Sequence, residues 1–374
     1  MRILFFSNLH PTPWHPGRGV FNAGLVEGLR AAGHDVTVVV RVVWPEQQGA
    51  PQAVVPDARF VPWFHPPLWR RDLWDRWMWL STRRTLRTAA RSSAPDVVLA
   101  GWAHPDGAVG IRLARELGVP AAILAGGSDL LLLPRSPRRR RVIARTLASA
   151  DLVLTHGRHL RDAALALGAD ATRTVAFYRG VNHDRFSPGS RIEARLQLGL
   201  LPEARYLLSV GNMVAVKGLD ILVEALARPE LAELDWQWVH IGDGNARVPL
   251  LRQAAAAGIG GRVRFAGSHP QDRLLDWYRA ADLQLLPSRS EGVPNVLLEG
   301  LACGLPFVAS TVGGVPEIAP DPAWCVPPGD PAALAAAIAG AMRTPPPVAV
   351  TVPTREQGVA TVVGALQDAL SGAR

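Results

Sequence analysis

The sequence predicts an α/β protein built from two Rossmann-like, doubly wound parallel-sheet domains facing a central cleft. Three observations carry the prediction. Short, nearly continuous apolar runs alternate with segments of helical length, as parallel strands covered on both faces require. The runs fall into two sets of six. A turn cluster, Ser187-Pro188-Gly189-Ser190, stands between the sets.

In chain order, the first set predicts strands at Ile3–Phe6, Val36–Val40, Val97–Ala100, Ala121–Ala125, Leu152–Leu154 and Thr174–Phe177. The second predicts Tyr206–Val210, Trp236–Ile241, Val263–Phe265, Leu283–Leu286, Pro306–Ala309 and Trp324–Val326. Helices are expected between them, for example at Phe21–Ala32 and Leu219–Ala227. The turn cluster places the domains at residues 1–187 and 188–354. Pro345-Pro346-Pro347 through Pro353 reads as an extended connector. The helix Arg355–Leu370 that follows, within residues 355–374, has either domain to pack on, the first included. Open α/β sheets bind ligands beyond the carboxyl ends of their strands, so the cleft is the expected site.

A length of 374 residues suits two domains. No apolar stretch approaches the ~20 residues of a spanning helix, and Met1–Ser7 reads as a first strand instead of a signal peptide. Cys303 and Cys325 form neither a disulfide framework nor a zinc spacing, which fits a reducing, cytoplasmic location. Charge is uneven. Residues 1–190 hold 25 Arg against 14 Asp and Glu, or +11, whereas residues 191–374 hold 15 Lys and Arg against 18 acids, or −3. The first half therefore expects an anionic partner, such as a membrane surface or a phosphorylated acceptor. Nucleic acid shares that charge logic, but no recognised binding motif supports it.

Dinucleotide and mononucleotide fingerprints are missing. Gly17-Arg18-Gly19 lies ten residues beyond the first strand, and neither it nor Gly242-Asp243-Gly244 completes Gly-x-Gly-x-x-Gly. Lys217 is followed by Gly218, so there is no Walker loop, and no Asp-x-Asp pair suggests a metal clamp.

The most informative stretch is Pro287-Ser288-Arg289-Ser290-Glu291-Gly292-Val293-Pro294-Asn295-Val296-Leu297-Leu298-Glu299, directly after a predicted strand. Pro294 suits the first turn of a helix running through Leu301. Backbone N–H groups at that start, those of Asn295 and Val296 included, make an anion site fit for a pyrophosphate. Glu291 before the helix and Glu299 within it supply carboxylates that accept hydrogen bonds from vicinal hydroxyls. Lys217 is the only lysine among 40 basic residues, and it sits in a strand-to-helix loop where it reaches a phosphate.

These residues resemble those of the retaining glycosyltransferases of family four, which have the GT-B fold. Two glutamates separated by seven residues, Glu291 and Glu299, are that family's hallmark. The resemblance also covers Lys217-Gly218, His240-Ile241-Gly242-Asp243-Gly244, Ala280-Ala281-Asp282, Ala302-Cys303-Gly304-Leu305-Pro306 and Gly313-Gly314-Val315-Pro316-Glu317. In the first half it takes in Gly33-His34-Asp35-Val36 and Gly180-Val181-Asn182. It implies a metal-independent transferase with no cofactor, moving a hexosyl group from a UDP- or GDP-linked donor to an acceptor hydroxyl. It implies that Lys217 neutralises the diphosphate, Glu299 binds the ribose and Glu291 binds the hexose and supports the reacting centre. Gly242 admits the nucleotide, Gly19 lies against the phosphates, and Gly292, Asn295 and Val296 complete the donor stretch. The rivals are a sugar-nucleotide epimerase or hydrolase on the same fold, and a degenerate sugar-nucleotide binder.

The sequence departs from the family pattern in places. Asn212 stands where an Arg is usual, and Gly101 where a His is usual. His104 is the candidate to replace that His and reach the sugar's C6 hydroxyl. Gly126-Gly127-Ser128-Asp129 carries Gly where many members have His or Arg. In Trp63–Trp79, tryptophans are interleaved with arginines, which suits a lipid-linked acceptor or a bilayer interface at the inner membrane face; core packing is the alternative. Arg138-Arg139-Arg140-Arg141 suits anionic head groups or a solvated helix face.

Overall fold

The computed structural model describes residues 1–43, 55, 57–64, 70–270, 273–344, 348 and 351–372. Two compact units emerge, Met1–Arg179 with Arg355–Arg374, and Gly180–Thr354. The division falls upstream of the Ser187–Ser190 turn, correcting the boundary expected there. That turn belongs inside the second unit: Arg279 Nε donates to the Ser187 carbonyl at 3.0 Å, and a Cβ on Gly189 would lie 2.5 Å from the same nitrogen. Most of the segment expected as a connector, residues 345–347 and 349–350, lies outside the described residues.

In the first unit the strands are β1 Arg2–Ser7, β2 Asp35–Val43, β3 Ala58–Trp63, β4 Val97–Ala100, β5 Ala121–Ala125, β6 Leu152–His156 and β7 Thr174–Phe177. They form one parallel sheet in the order β3-β2-β1-β4-β5-β6-β7. Successive residues of a strand face opposite sides. Ile3 and Phe5 accordingly join one buried cluster, and Leu4 and Phe6 the other. Covering both faces explains the nearly continuous apolar runs. The edge strand β3 was not expected, because only Val61 and Trp63 of its six residues are buried and it contains Pro62. Proline is tolerated at a sheet edge, where one side of the backbone needs no partner.

Among the described residues, part of the tryptophan-rich segment packs inward. Trp63 and Trp79 are buried, and Trp63 meets Trp74 edge to face at 5.5 Å. Among the described residues nearby, Phe64, Trp77 and Leu80 are exposed large apolar side chains. Residues 65–69, Trp69 among them, lie outside the described set. The core-packing alternative holds for part of the segment, because the helix Trp74–Ser93 turns Met78, Trp79 and Leu86 into the core.

In the second unit, β8 Tyr206–Val210, β9 Gln237–Ile241, β10 Val263–Gly267, β11 Leu283–Leu286, β12 Phe307–Ser310 and β13 Cys325–Val326 form a parallel sheet ordered β10-β9-β8-β11-β12-β13. Asp282 pins the start of β11. One of its oxygens accepts the Tyr206 N–H at 2.7 Å and an Arg195 guanidinium at 2.6 Å.

The helix Arg355–Gly372 packs with the first unit. Its Val359, Val362 and Leu366 enter the cluster of Ile3, Phe5 and Leu25, and a Cβ on Gly28 would meet Val359 at 2.4 Å. Leu366 is fully buried. Leu366→Ala should therefore destabilise the first unit by about 2–5 kcal/mol, read as a lower urea midpoint; an unchanged midpoint would show that the helix is not part of that core.

Candidate functional site

The order of the second sheet reverses between β8 and β11, the position at which open α/β sheets take ligands beyond their carboxyl ends. Gly211–Gly218 follows β8, and Pro287–Pro294 follows β11. The residues singled out from sequence in this half are carried by these two loops, the helix after the second, and the loop after β9.

Backbone contacts hold the loops together. Gly218 has φ +63°, and a Cβ there would lie 2.0 Å from the Pro287 carbonyl oxygen. The Arg289 N–H donates to Val216 O at 2.8 Å, and its guanidinium reaches Ala215 O at 2.6 Å and both Asp220 oxygens at 2.8 and 2.5 Å. With the loops so joined, Lys217 Nζ meets Glu291 Oε1 at 2.7 Å. Ser288 Oγ donates to the same oxygen at 2.5 Å. The ammonium retains further N–H donors for a ligand, since Lys has three. The pair is partly exposed, at 26% for Lys217 and 10% for Glu291.

Glu299 lies on the helix Asn295–Ala302 and is buried, with Oε2 accepting from Tyr278 OH at 2.8 Å. Burial, then the Glu299 charge, holds the Tyr278 hydroxyl well above its usual pKa, so it stays a proton donor to the carboxylate. Pro294 is the N-cap residue of this helix and not part of its first turn, which corrects the sequence reading. Asn295 and Val296 become its first two residues, whose N–H groups have no acceptor within the helix. The Gly292 carbonyl accepts the Gly314 N–H at 2.8 Å, and Gly313 packs so closely that a Cβ would lie 2.0 Å from Glu291 O. That contact fixes the backbone that presents Glu291.

A buried polar chain ends on the backbone at the start of the loop after β8. Trp238 Nε1 donates to Ser209 Oγ at 2.8 Å, Ser209 Oγ lies 2.7 Å from His240 Nδ1, and His240 Nε2 lies 2.9 Å from the Gly211 carbonyl. Indole can only donate and a carbonyl can only accept. The chain therefore runs in one direction, with His240 protonated at Nε2 alone. Burial lowers the His240 pKa to about 4, consistent with a neutral ring. Gly242, at φ +143°, passes so close that a Cβ would lie 1.9 Å from Gly211 O. Asn212 between these contacts is exposed.

Two expected residues belong to the first unit. Gly19 has φ +62° and begins the helix Val20–Ala31; a Cβ there would lie 2.3 Å from the Leu9 backbone. His104 is 1% exposed, and its Nε2 lies 3.3 Å from Arg71 O. Its ring is directed into packed structure, so the reach to a sugar hydroxyl expected of it is not available. Gly101 leaves no room for the usual histidine either, because a Cβ would lie 2.3 Å from Ser7 Oγ.

Sequence reading missed Ser288, Arg289 and Tyr278 as partners of the singled-out residues. Ser288 and Arg289 stood inside the quoted stretch, and their signal was a polar Ser-Arg-Ser run directly after a buried strand. Tyr278 carried no local signal; it reaches Glu299 only through tertiary packing.

Comparison with known proteins fits this geometry. Residues 204–344 match the family model described as glycosyl transferases group 1, and residues 17–185 match that of Glycosyltransferase Family 4. The chain is 27% identical over 339 residues to a putative teichuronic acid biosynthesis glycosyltransferase of Bacillus subtilis, covering 85% of this chain and 83% of that one. It is 34% identical to D-inositol 3-phosphate glycosyltransferase 1 of Catenulispora acidiphila, over 56% of this chain and 54% of the relative. Among solved structures, sucrose-phosphate synthase from Thermosynechococcus elongatus aligns with a TM-score of 0.74 at 21% identity, covering 100% and 94% of the two chains. Anabaena HepE, solved in complex with UDP, aligns at 0.73 and 20%, covering 100% and 99%.

Two outcomes follow from the loop contacts. Gly218→Ala should cost about 1–3 kcal/mol through backbone strain together with the Pro287 clash, measured by urea unfolding; a neutral effect would remove the reason given for the glycine. His240 takes up its proton less readily folded than unfolded, so its contribution is complete above pH 6.5 and is lost as pH falls toward 4. His240→Gln should flatten the stability difference between pH 6.5 and 4.5, and an identical pH profile in the variant would contradict the neutral-ring assignment.

Proposed function

We propose a specific reaction for this chain, which belongs to the group 1, family-four glycosyltransferases: retaining transfer of a hexosyl group from a UDP- or GDP-linked donor to an acceptor hydroxyl. The observation that carries the proposal is the Lys217–Glu291 pair, formed between the loops after β8 and β11 beside the start of the helix Asn295–Ala302.

Each residue has a physical part. The Lys217 ammonium and the N–H groups of Asn295 and Val296 take the diphosphate oxygens. Gly242 and Gly292 let backbone approach the donor, with the exposed amide of Asn212 beside them. Glu299, held by Tyr278, accepts hydrogen bonds from the ribose hydroxyls. Glu291, held by Lys217 and Ser288, accepts from the hexose hydroxyls. When the glycosidic bond breaks, negative charge grows on the departing diphosphate, and fixed donors already aimed there stabilise it. The leaving phosphate takes the acceptor proton on the same face of the sugar, so the anomeric configuration is retained. His104 has no part in the scheme because it is buried.

The acceptor assigned to this reaction is a lipid-linked or glycoconjugate precursor, supported by the +11 charge of residues 1–190 and by the named role of the Bacillus subtilis relative. A cytoplasmic site of action, peripheral to an anionic membrane surface, accords with two unpaired thiols. Among the described residues no helix is long and apolar enough to cross a membrane.

Calorimetry with UDP, GDP and their nucleosides tests the assignment. Lys217→Ala should weaken the preferred diphosphate by about tenfold or more while leaving the nucleoside nearly unchanged, and Glu299→Ala should weaken both. Unchanged affinities in both variants would falsify the donor site. An NMR assay of the glycoside then reads the anomeric configuration, and inversion would rule out same-face transfer.

A further inference from the structure

We infer that the first unit carries a pocket for a phosphate-rich ligand, walled by arginines of three neighbouring segments. The cavity has a volume of about 590 Å³ and lies among the helices Ala108–Leu117 and Pro137–Ala148 and residues 70–76. That volume is within the roughly 300–1,000 Å³ of small-molecule sites. None of the donor-site residues lines it, so the inference does not depend on the transferase reading.

Arg138, Arg141 and Arg145 line the cavity from one helix. Their spacing of three and four residues puts them on one face, where like charges repel and weaken the helix. Arg115 joins from the second helix, and Arg70 and Arg76 from the third segment. Against these six cations stand two carboxylates, Asp72 and Asp75, leaving an excess of four positive charges. Asp72 is already engaged by Arg70 through bonds of 3.2 and 3.0 Å. Among the described residues, Arg76, Arg115, Arg138, Arg141 and Arg145 make no ion pair with any carboxylate.

The wall is also braced. Trp74 stacks against Arg139 at 5.1 Å and against Arg71 at 5.6 Å, tying residues 70–76 to the helix Pro137–Ala148. Ile111 and Val142 add apolar lining and Ser149 a hydroxyl, while the Thr146 hydroxyl donates to the Val142 carbonyl at 2.9 Å. Planar guanidiniums match phosphate oxygens two at a time, and several converging on one cavity favour a ligand with more than one phosphate charge. A soluble phosphate ester and a lipid phosphomonoester headgroup both supply that chemistry.

The test uses the full chain with inorganic tripolyphosphate in calorimetry and, separately, vesicles of equal parts phosphatidic acid and phosphatidylcholine in co-sedimentation. Lys217→Ala removes the donor-site phosphate contact and should leave one saturable tripolyphosphate site. Arg141→Gln with Arg145→Gln, both exposed in the structure, should weaken that site by about tenfold or more with UDP affinity unchanged. Arg141→Lys with Arg145→Lys keeps the charge and should fall between. Vesicle binding lost in the double Gln variant identifies a headgroup as the source; tripolyphosphate binding without vesicle binding identifies a soluble ester. Equal tripolyphosphate affinity in wild type and the double Gln variant, or no saturable binding in Lys217→Ala, overturns the pocket.

Discussion

The ion pair between Lys217 and Glu291 is the contact on which the second unit's site depends. It joins residues 74 positions apart in sequence, and it forms only because β8 and β11 are neighbours at the point where the sheet order reverses. Partly exposed ion pairs contribute about 1 kcal/mol or less to stability. Its consequence is therefore positional. A cation and a carboxylate are held next to each other at a helix start, and each keeps hydrogen-bonding capacity for a ligand that offers both phosphate and hydroxyl groups.

Around that pair the structure uses close backbone packing to remove freedom. Gly218 against Pro287, Gly242 against Gly211 and Gly313 against Glu291 are approaches that a Cβ would block. The buried chain from Trp238 through Ser209 and His240 ends on the Gly211 carbonyl, so the histidine orients backbone and exchanges no proton near neutral pH. The first unit ties its loops differently. Asp129 is fully buried and accepts the N–H groups of Ala103 and Gly126 at 2.7 and 2.8 Å, and burial raises its pKa to about 7.

Much of this was legible in sequence. Parallel strands buried on both faces write themselves as apolar runs, so the order of β1, β2 and β4–β13 could be read directly. Lys217 stood out as the only lysine in the chain, and Glu291 and Glu299 as the seven-residue-spaced glutamates that carry the family resemblance. What escaped was whatever depends on distant partners. β3 is an edge strand with a proline and lacks the buried-strand signature. Tyr278 meets Glu299 across a helix-to-helix contact with no trace in local pattern. His104 looked available beside an irregular loop, yet its ring is covered. The Ser187–Ser190 cluster has the composition of a linker, but Arg279 binds it into the second unit.

The composition offers a direct probe of the central assignment, because Lys217 is the only lysine in the chain. Labelling lysine with ¹⁵N at Nζ gives a single side-chain ammonium signal to follow during titration. If Lys217 holds the diphosphate beside Glu291, that signal shifts on saturation with UDP or GDP and stays in place with the matching nucleoside. A signal that does not respond to a nucleoside diphosphate shown to be bound would contradict the assignment.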